Sequence, residues 1–207
     1  MSLIDYLESP QKDSIALISN QGKLKFDDIL NFRKKLRRQL SNKIVLIKTY
    51  SAADFIQAIV AADGAAEKII LLSPHYPKEN LEEVVKFFKP DIFLSDQPVP
   101  ENILEHGFWA QTAQDIMKFD VRCEKTTSPE ETEWFLTTSG TTGKPKIIQH
   151  SFESLTRTTK SNSSREEPFK WGLFYDFSRF AGLQVVLQSL CLKDTLIYPE
   201  PTADFES

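Results

Sequence analysis

Residues 133–151 read "EWFLTTSGTTGKPKIIQHS". The flanks, "EWFLTTS" (133–139) and "KIIQHS" (146–151), have the aromatic and β-branched content of strands. Between them lies a run of small, hydroxylated, glycine and basic residues ending at Pro145. Such a run can be a disordered linker, a sharp turn or a loop that wraps phosphate. An apolar strand at each end favours a constrained loop. Gly140 and Gly143 can take φ > 0 and let the backbone approach a ligand. Successive N–H groups can then form an anion nest. Thr137, Thr138, Ser139, Thr141 and Thr142 add hydroxyl donors, and Lys144 and Lys146 add positive charge. Hydrogen bonds to charged groups contribute about 1.5–3 kcal/mol each, so a few of them would hold a triphosphate tail.

The loop is not a Walker A motif, G-x-x-x-x-G-K-[ST]. Gly140 and Gly143 are too close together, and Pro145 stands where Ser or Thr is needed. A strand follows rather than a helix, so the phosphate site does not rest on a helix N-terminus.

Upstream, the pattern alternates. "IALISNQGKLKF" (15–26) reads as a hairpin around Asn20-Gln21-Gly22, followed by a helix over 27–41 with Asp27 or Asp28 in its first turn. Strands are expected at 43–50, 68–74 and 91–96. Helices are expected at 51–66, capped by Ser51 and weakened near Gly64, and at 77–90 between prolines. Downstream, Ser151 can cap a helix over 152–162, "KWGLFYDFS" (170–178) reads as a strand, 180–192 as an apolar helix and 195–199 as a strand. Strands alternating with helices imply right-handed βαβ units and a mainly parallel sheet, hence an α/β fold. The polar stretch "KTTSPEET" (125–132) suggests a division into a first lobe, 1–128, and a second, 129–207, that carries the loop.

Bulk properties narrow the function. The 207 residues are 41% hydrophobic and include 15 Phe, enough for a sizeable core. A net charge of −4 gives no reason to expect nucleic-acid binding. The basic cluster "RKKLRR" (33–38) reads as a solvated helix face, with an anionic partner as the alternative. Cys123 and Cys191 form no C-x-x-C pair, and His75, His106 and His150 lack metal-ligand spacing, so no metal site is expected and a reducing, cytoplasmic setting fits. No signal peptide or membrane span is expected.

"LTTSGTTGKPK" (136–146) resembles, almost residue for residue, the phosphate-binding signature of the adenylate-forming superfamily. Its members include acyl-CoA synthetases, aryl-acid ligases, luciferases and peptide-synthetase adenylation domains. Residues 23–40 and 43–96 are similar to the family's early strand, helix and first βαβ segment, in degenerate form. The resemblance implies the N-terminal part of an acyl-CoA synthetase-like large domain. It implies ATP and Mg2+, with Thr138, Ser139, Gly140, Thr141, Thr142 and Gly143 around the phosphates and Lys146 at the loop's end. A carboxylate attacks the α-phosphorus, pyrophosphate leaves, and the acyl group then passes to the thiol of CoA or carrier-protein pantetheine. Lys144, at a variable motif position, reads as a surface charge.

Two departures qualify this. Acyl-CoA synthetases often carry His three residues before a Gly in the region of "FYDFSRFAGLQVV" (174–186), where Arg179 precedes Gly182. Peptide-synthetase domains show F-D-x-S there, whose Asp holds the substrate amino group. Asp176 in "YDFS" either does this or bonds a structural partner, and Arg179 faces either a substrate carboxylate or the surface. Secondly, the family's adenosine-gripping residues, its Mg2+-serving acid and its C-terminal lysine match nothing here, so no catalytic residue is assigned. The expectation is a domain portion that is inactive alone and self-associates through an uncovered face. A complete phosphate-binding module, or one part of a split adenylating enzyme, is the alternative.

Overall fold

The computed structural model describes residues 2–7, 13–104, 108–110, 131–138, 146–159 and 168–199. A short helix, Leu3–Leu7 (α1), precedes the hairpin of Ile15–Ser19 (β1) and Gly22–Lys25 (β2). Phe26–Leu40 (α2) follows directly, and the Asp28 carboxylate accepts the Lys25 N–H at 3.3 Å to cap it. Ile44–Lys48 (β3), Ala52–Ala62 (α3), Lys68–Leu71 (β4), Lys78–Phe88 (α4) and Ile92–Ser95 (β5) are the expected alternation. Ser51 caps α3, its Oγ accepting the Asp54 N–H at 3.2 Å. That helix stops at Ala62 rather than 66, because Gly64 turns to φ 67°.

Glu101–Leu104 (α5), Phe108–Ala110 (β6), Glu133–Thr138 (β7) and Lys146–His150 (β8) come next. Phe152–Thr156 (α6) is capped by Ser151 as expected but is shorter than 152–162. Lys170–Gly172 (β9), Phe180–Cys191 (α7) and Thr195–Tyr198 (β10) complete the described elements. The expected strand over 170–178 ends at Gly172. Beyond it the Asp176 carboxylate takes the Ser178 N–H at 2.9 Å, a local turn that competes with the strand ladder.

The single expected sheet is two. One has the order β6-β5-β3-β4-β7-β8, parallel throughout except for the antiparallel β8. The other has the order β2-β1-β10-β9, with β1, β10 and β9 parallel. Both take strands from either side of residue 128.

Alternation along the strands sets the layers. Val45, Ile47, Ile69, Leu71, Trp134 and Leu136 face a core shared with α2, α3, α7 and the second sheet. Leu46, Ile70, Phe93 and Phe135 face the opposite way, onto Leu81, Val84, Val85 and Phe88 of α4. Covered on both faces, these strands read as continuous apolar runs.

The basic cluster divides. Lys34, Lys35, Arg37 and Arg38 are exposed, but Arg33 is 4% exposed. It sits on the buried stripe Phe26, Ile29, Leu36 and Leu40 at helical spacing, so the solvated-face reading is corrected at this residue.

Candidate functional site

Five strands of the larger sheet run parallel, so their carboxyl ends share one edge. In open α/β sheets ligands bind beyond that edge. β7 ends there at Thr138, and β8 returns with Lys146 opposite Thr138. The Thr138 hydroxyl donates to the Lys146 carbonyl at 3.3 Å, closing the base of the connection. Thr138 is half-buried and Lys146 exposed, while Thr137 is buried. Ser139, Gly140, Thr141, Thr142 and Gly143 lie outside the described residues. A hydroxyl and an exposed ammonium thus stand at the base of the connection, on the carboxyl edge of the parallel sheet.

The same edge receives Asp176 and Arg179. Leu71 of β4 pairs with Leu136 of β7, so Ser73 and Thr138 each lie two residues beyond that pair. The Ser73 hydroxyl donates to Asp176 Oδ2 at 2.6 Å and accepts the His75 N–H at 3.2 Å. Asp176 Oδ1 accepts the Ser178 hydroxyl at 2.6 Å as well as its N–H. Arg179 Nε stands 3.5 Å from Asp176 Oδ2, on a side chain that is 51% exposed.

Packing holds this loop down. The Phe177 ring lies 4.6 Å from that of Phe55 and 5.7 Å from that of Tyr198. Gly182 admits the closest approach: a Cβ there would stand 2.1 Å from the Asp176 carbonyl oxygen.

Sequence reasoning missed the groups beside them. Lys48 Nζ donates to the Pro74 carbonyl at 2.6 Å and lies 5.2 Å from the centre of the Tyr50 ring. Burial lowers its pKa. The Asp96 carboxylate accepts the N–H groups of Tyr50 and Ser51, both at 2.7 Å. The legible signal was a polar residue next to the end of each apolar strand: Thr49, Ser73 and Asp96.

His150 lies at the far end of the hairpin, its ring 5.4 Å from that of Phe180, and burial lowers its pKa. No cluster of His, Cys, Asp and Glu able to hold a metal ion occurs among the described residues. Nor does any described helix have the length and apolarity to cross a membrane.

Fold and edge together define an α/β domain of the kind that binds ligands beyond the carboxyl edge of a parallel sheet. The AMP-binding enzyme family matches residues 29–207, and the chain belongs to that family. A plipastatin synthase polypeptide of Bacillus subtilis (strain 168) is 25% identical over 161 residues, covering 72% of this chain and 6% of that protein. Among solved structures, o-succinylbenzoate CoA synthetase from Bacillus subtilis, in complex with its acyl-adenylate intermediate, superposes with a TM-score of 0.78 at 19% identity. That match covers 97% of this chain and 56% of the other. The same enzyme with ATP and magnesium ion gives 0.76 at 19% identity, covering 97% and 57%. The N-terminal subdomain of NpsA from Klebsiella oxytoca, with 3-hydroxybenzoyl-AMSN, gives 0.73 at 18% identity, covering 97% and 53%. The chain thus spans little more than half of these solved chains and a small part of the curated relative. The fold is that of the N-terminal part of acyl-CoA synthetase-like domains.

Proposed function

We propose that this chain supplies the ATP-phosphate loop of a carboxylic acid ligase that works through an acyl-adenylate. The observation that carries this reading is the β7–β8 hairpin on the carboxyl edge of the parallel sheet, with Thr138 and Lys146 at its base. Residues 139–143 supply backbone N–H groups and hydroxyls to the β- and γ-phosphates, and Lys146 adds charge at the loop's end. Mg2+ bound with the nucleotide would supply further charge neutralisation. A carboxylate oxygen attacks the α-phosphorus, the bond to the bridging oxygen breaks, and pyrophosphate leaves. The loop's part is to hold the triphosphate in line and stabilise charge on the leaving group. A thiol, from CoA or a carrier-protein pantetheine, then takes the acyl group and AMP leaves. The loop serves either acceptor equally.

Carboxylate-dependent exchange of pyrophosphate into ATP tests the reading. Exchange is expected from the native gene product and not from residues 1–207 expressed alone. A native product that exchanges with no carboxylate would overturn the ligase reading, and exchange by residues 1–207 alone would overturn the expectation that they are inactive by themselves.

A further inference from the structure

Lys34, Lys35, Arg37 and Arg38 are exposed on the outer face of α2. None of the four has an Asp or Glu three or four residues away along the helix. The neighbours at those spacings include other cations: Lys34 is followed by Arg37 and Arg38, and Lys35 by Arg38. Like charges four residues apart on a helix are destabilising, by about 0.2–0.5 kcal/mol per pair. The charge also reaches inward. Burial first, then the Arg37 charge, holds the Arg33 guanidinium below its ordinary pKa. The helix dipole favours Arg37 and Arg38, which lie in the last turn, but does not account for Lys34 and Lys35 upstream of it. Lys34 and Lys35 enter no ion pair among the described residues. Without these four cations the net charge of −4 would become −8, so positive charge is gathered here on an otherwise acidic chain.

The size of the patch selects its occupant. Lys34 and Arg38 are about 6 Å apart along the helix axis. A nucleic-acid backbone is held through on the order of 6–10 phosphates, more than four cations can meet. A helix that lies on a membrane buries its apolar face in the lipid. The apolar face of α2, with Phe26, Ile29, Leu36 and Leu40, is already buried in the protein core. Carboxylates at i, i+3 and i+4 of another helix span the same length as these cations and share one face. The place of the patch is also defined. β3 begins at Ile44, soon after α2 ends at Leu40, and the Lys43 carbonyl accepts the Glu67 N–H just before β4. The patch therefore lies towards the amino edge of the larger sheet, opposite the edge of Thr138 and Lys146.

We propose that this face of α2 is a docking surface for a partner protein that presents an acidic helix. A partner held there leaves the carboxyl edge open. The proposal does not depend on the ligase reading.

Fluorescence anisotropy of two labelled helical peptides tests it, one with glutamates at i, i+3, i+4 and i+7, the other with glutamines there. The native gene product is expected to bind the glutamate peptide, less tightly as salt is raised, and the glutamine peptide at least about tenfold more weakly. Lys34→Glu/Lys35→Glu should lose the difference between the peptides, and Lys34→Arg/Lys35→Arg should keep it. Lys34→Gln/Lys35→Gln should unfold at an unchanged or higher Tm, since it removes like-charge neighbours. No binding of the glutamate peptide at low salt, or undiminished binding by the charge-reversed variant, would overturn the proposal. So would a Tm lowered by several degrees in the glutamine variant, which would assign the two lysines to the fold. Tighter binding to phosphatidylglycerol vesicles or to single-stranded RNA than to the glutamate peptide would also overturn it, in favour of a membrane or a nucleic acid.

Discussion

Arg33 donates from Nη1 to the backbone carbonyl of Asp63 at 2.7 Å, and the same nitrogen reaches the carbonyls of Val60 and Ala61. A cation from α2 thereby closes the C-terminus of α3, where carbonyls lack partners within the helix and the dipole favours positive charge.

Arg33→Met should fit the apolar stripe yet leave those buried carbonyls without a donor. The expected loss is about 2–4 kcal/mol, read as a lower urea midpoint with an unchanged m-value. A wild-type midpoint would show that the buried guanidinium contributes nothing to stability.

Asp63 gives the protein a pH dependence of defined sign. Burial pushes its carboxyl up to about 6, against the Leu3 N–H, Arg33 and the Trp134 indole, which pull it down. The folded state therefore binds this proton more tightly than the unfolded one. Between about pH 4 and 6 the Asp63 contribution should fall as pH rises, then level off above the folded pKa. The span is on the order of 2–3 kcal/mol. Asp63→Asn should flatten that component, and urea titrations of both proteins from pH 4 to 7 measure it. Parallel stability curves would place the titration elsewhere.

Gly182→Ala puts a methyl group against the Asp176 carbonyl, with backbone on both sides of the contact. The strain should cost about 1–3 kcal/mol. It should also disturb the Phe55–Phe177 ring pair, visible as a change in near-UV circular dichroism. Ala181→Gly on the same turn is the control for helix propensity alone, at about 1 kcal/mol. Propensity alone would make Gly182→Ala more stable by a similar amount, so a gain of that size would mean that the close approach imposes no constraint.

Cys191 is buried, and burial followed by the Asp63 charge pushes its thiol up to about 12. In a Cys123→Ser background, native Cys191 should react with iodoacetamide at pH 8 about three orders of magnitude more slowly than in urea, from the thiolate fraction alone. Equal rates would show that α7 opens readily.

Among the described residues β8 and β9 each form one outer edge of their sheet, with Ile148 exposed on the first and Phe169 exposed next to the second. Residues 1–207 expressed alone should self-associate through such edges. Sedimentation velocity should show Ile148→Lys shifted toward monomer. A wild-type chain that sediments as a monomer at every concentration would count against this.

The local readings succeeded where the cause is local. Ser51 and Ser151 were legible as caps because a hydroxyl before a helix satisfies N–H groups three residues on. The Asn20–Gly22 turn and the β7 and β8 strands were legible in the same way. The partner of Asp176 was not, since Ser73 lies 103 residues away and only its place after an apolar strand marked it. Arg33 was misread because residue type outweighed its place on the stripe.

By itself, the sequence determined the alternation of strands and helices, the caps and the glycine-rich phosphate signature, all of which depend on residues within a few positions of one another. Only the tertiary structure decided that the strands form two sheets, that Arg33 is buried and that Asp176 is clipped to Ser73. β1 pairs with β10, and Thr195 donates to the Ile15 carbonyl across 180 residues. Such choices follow from which distant groups can bury apolar surface together while leaving most buried polar atoms a partner, and no local spacing encodes that.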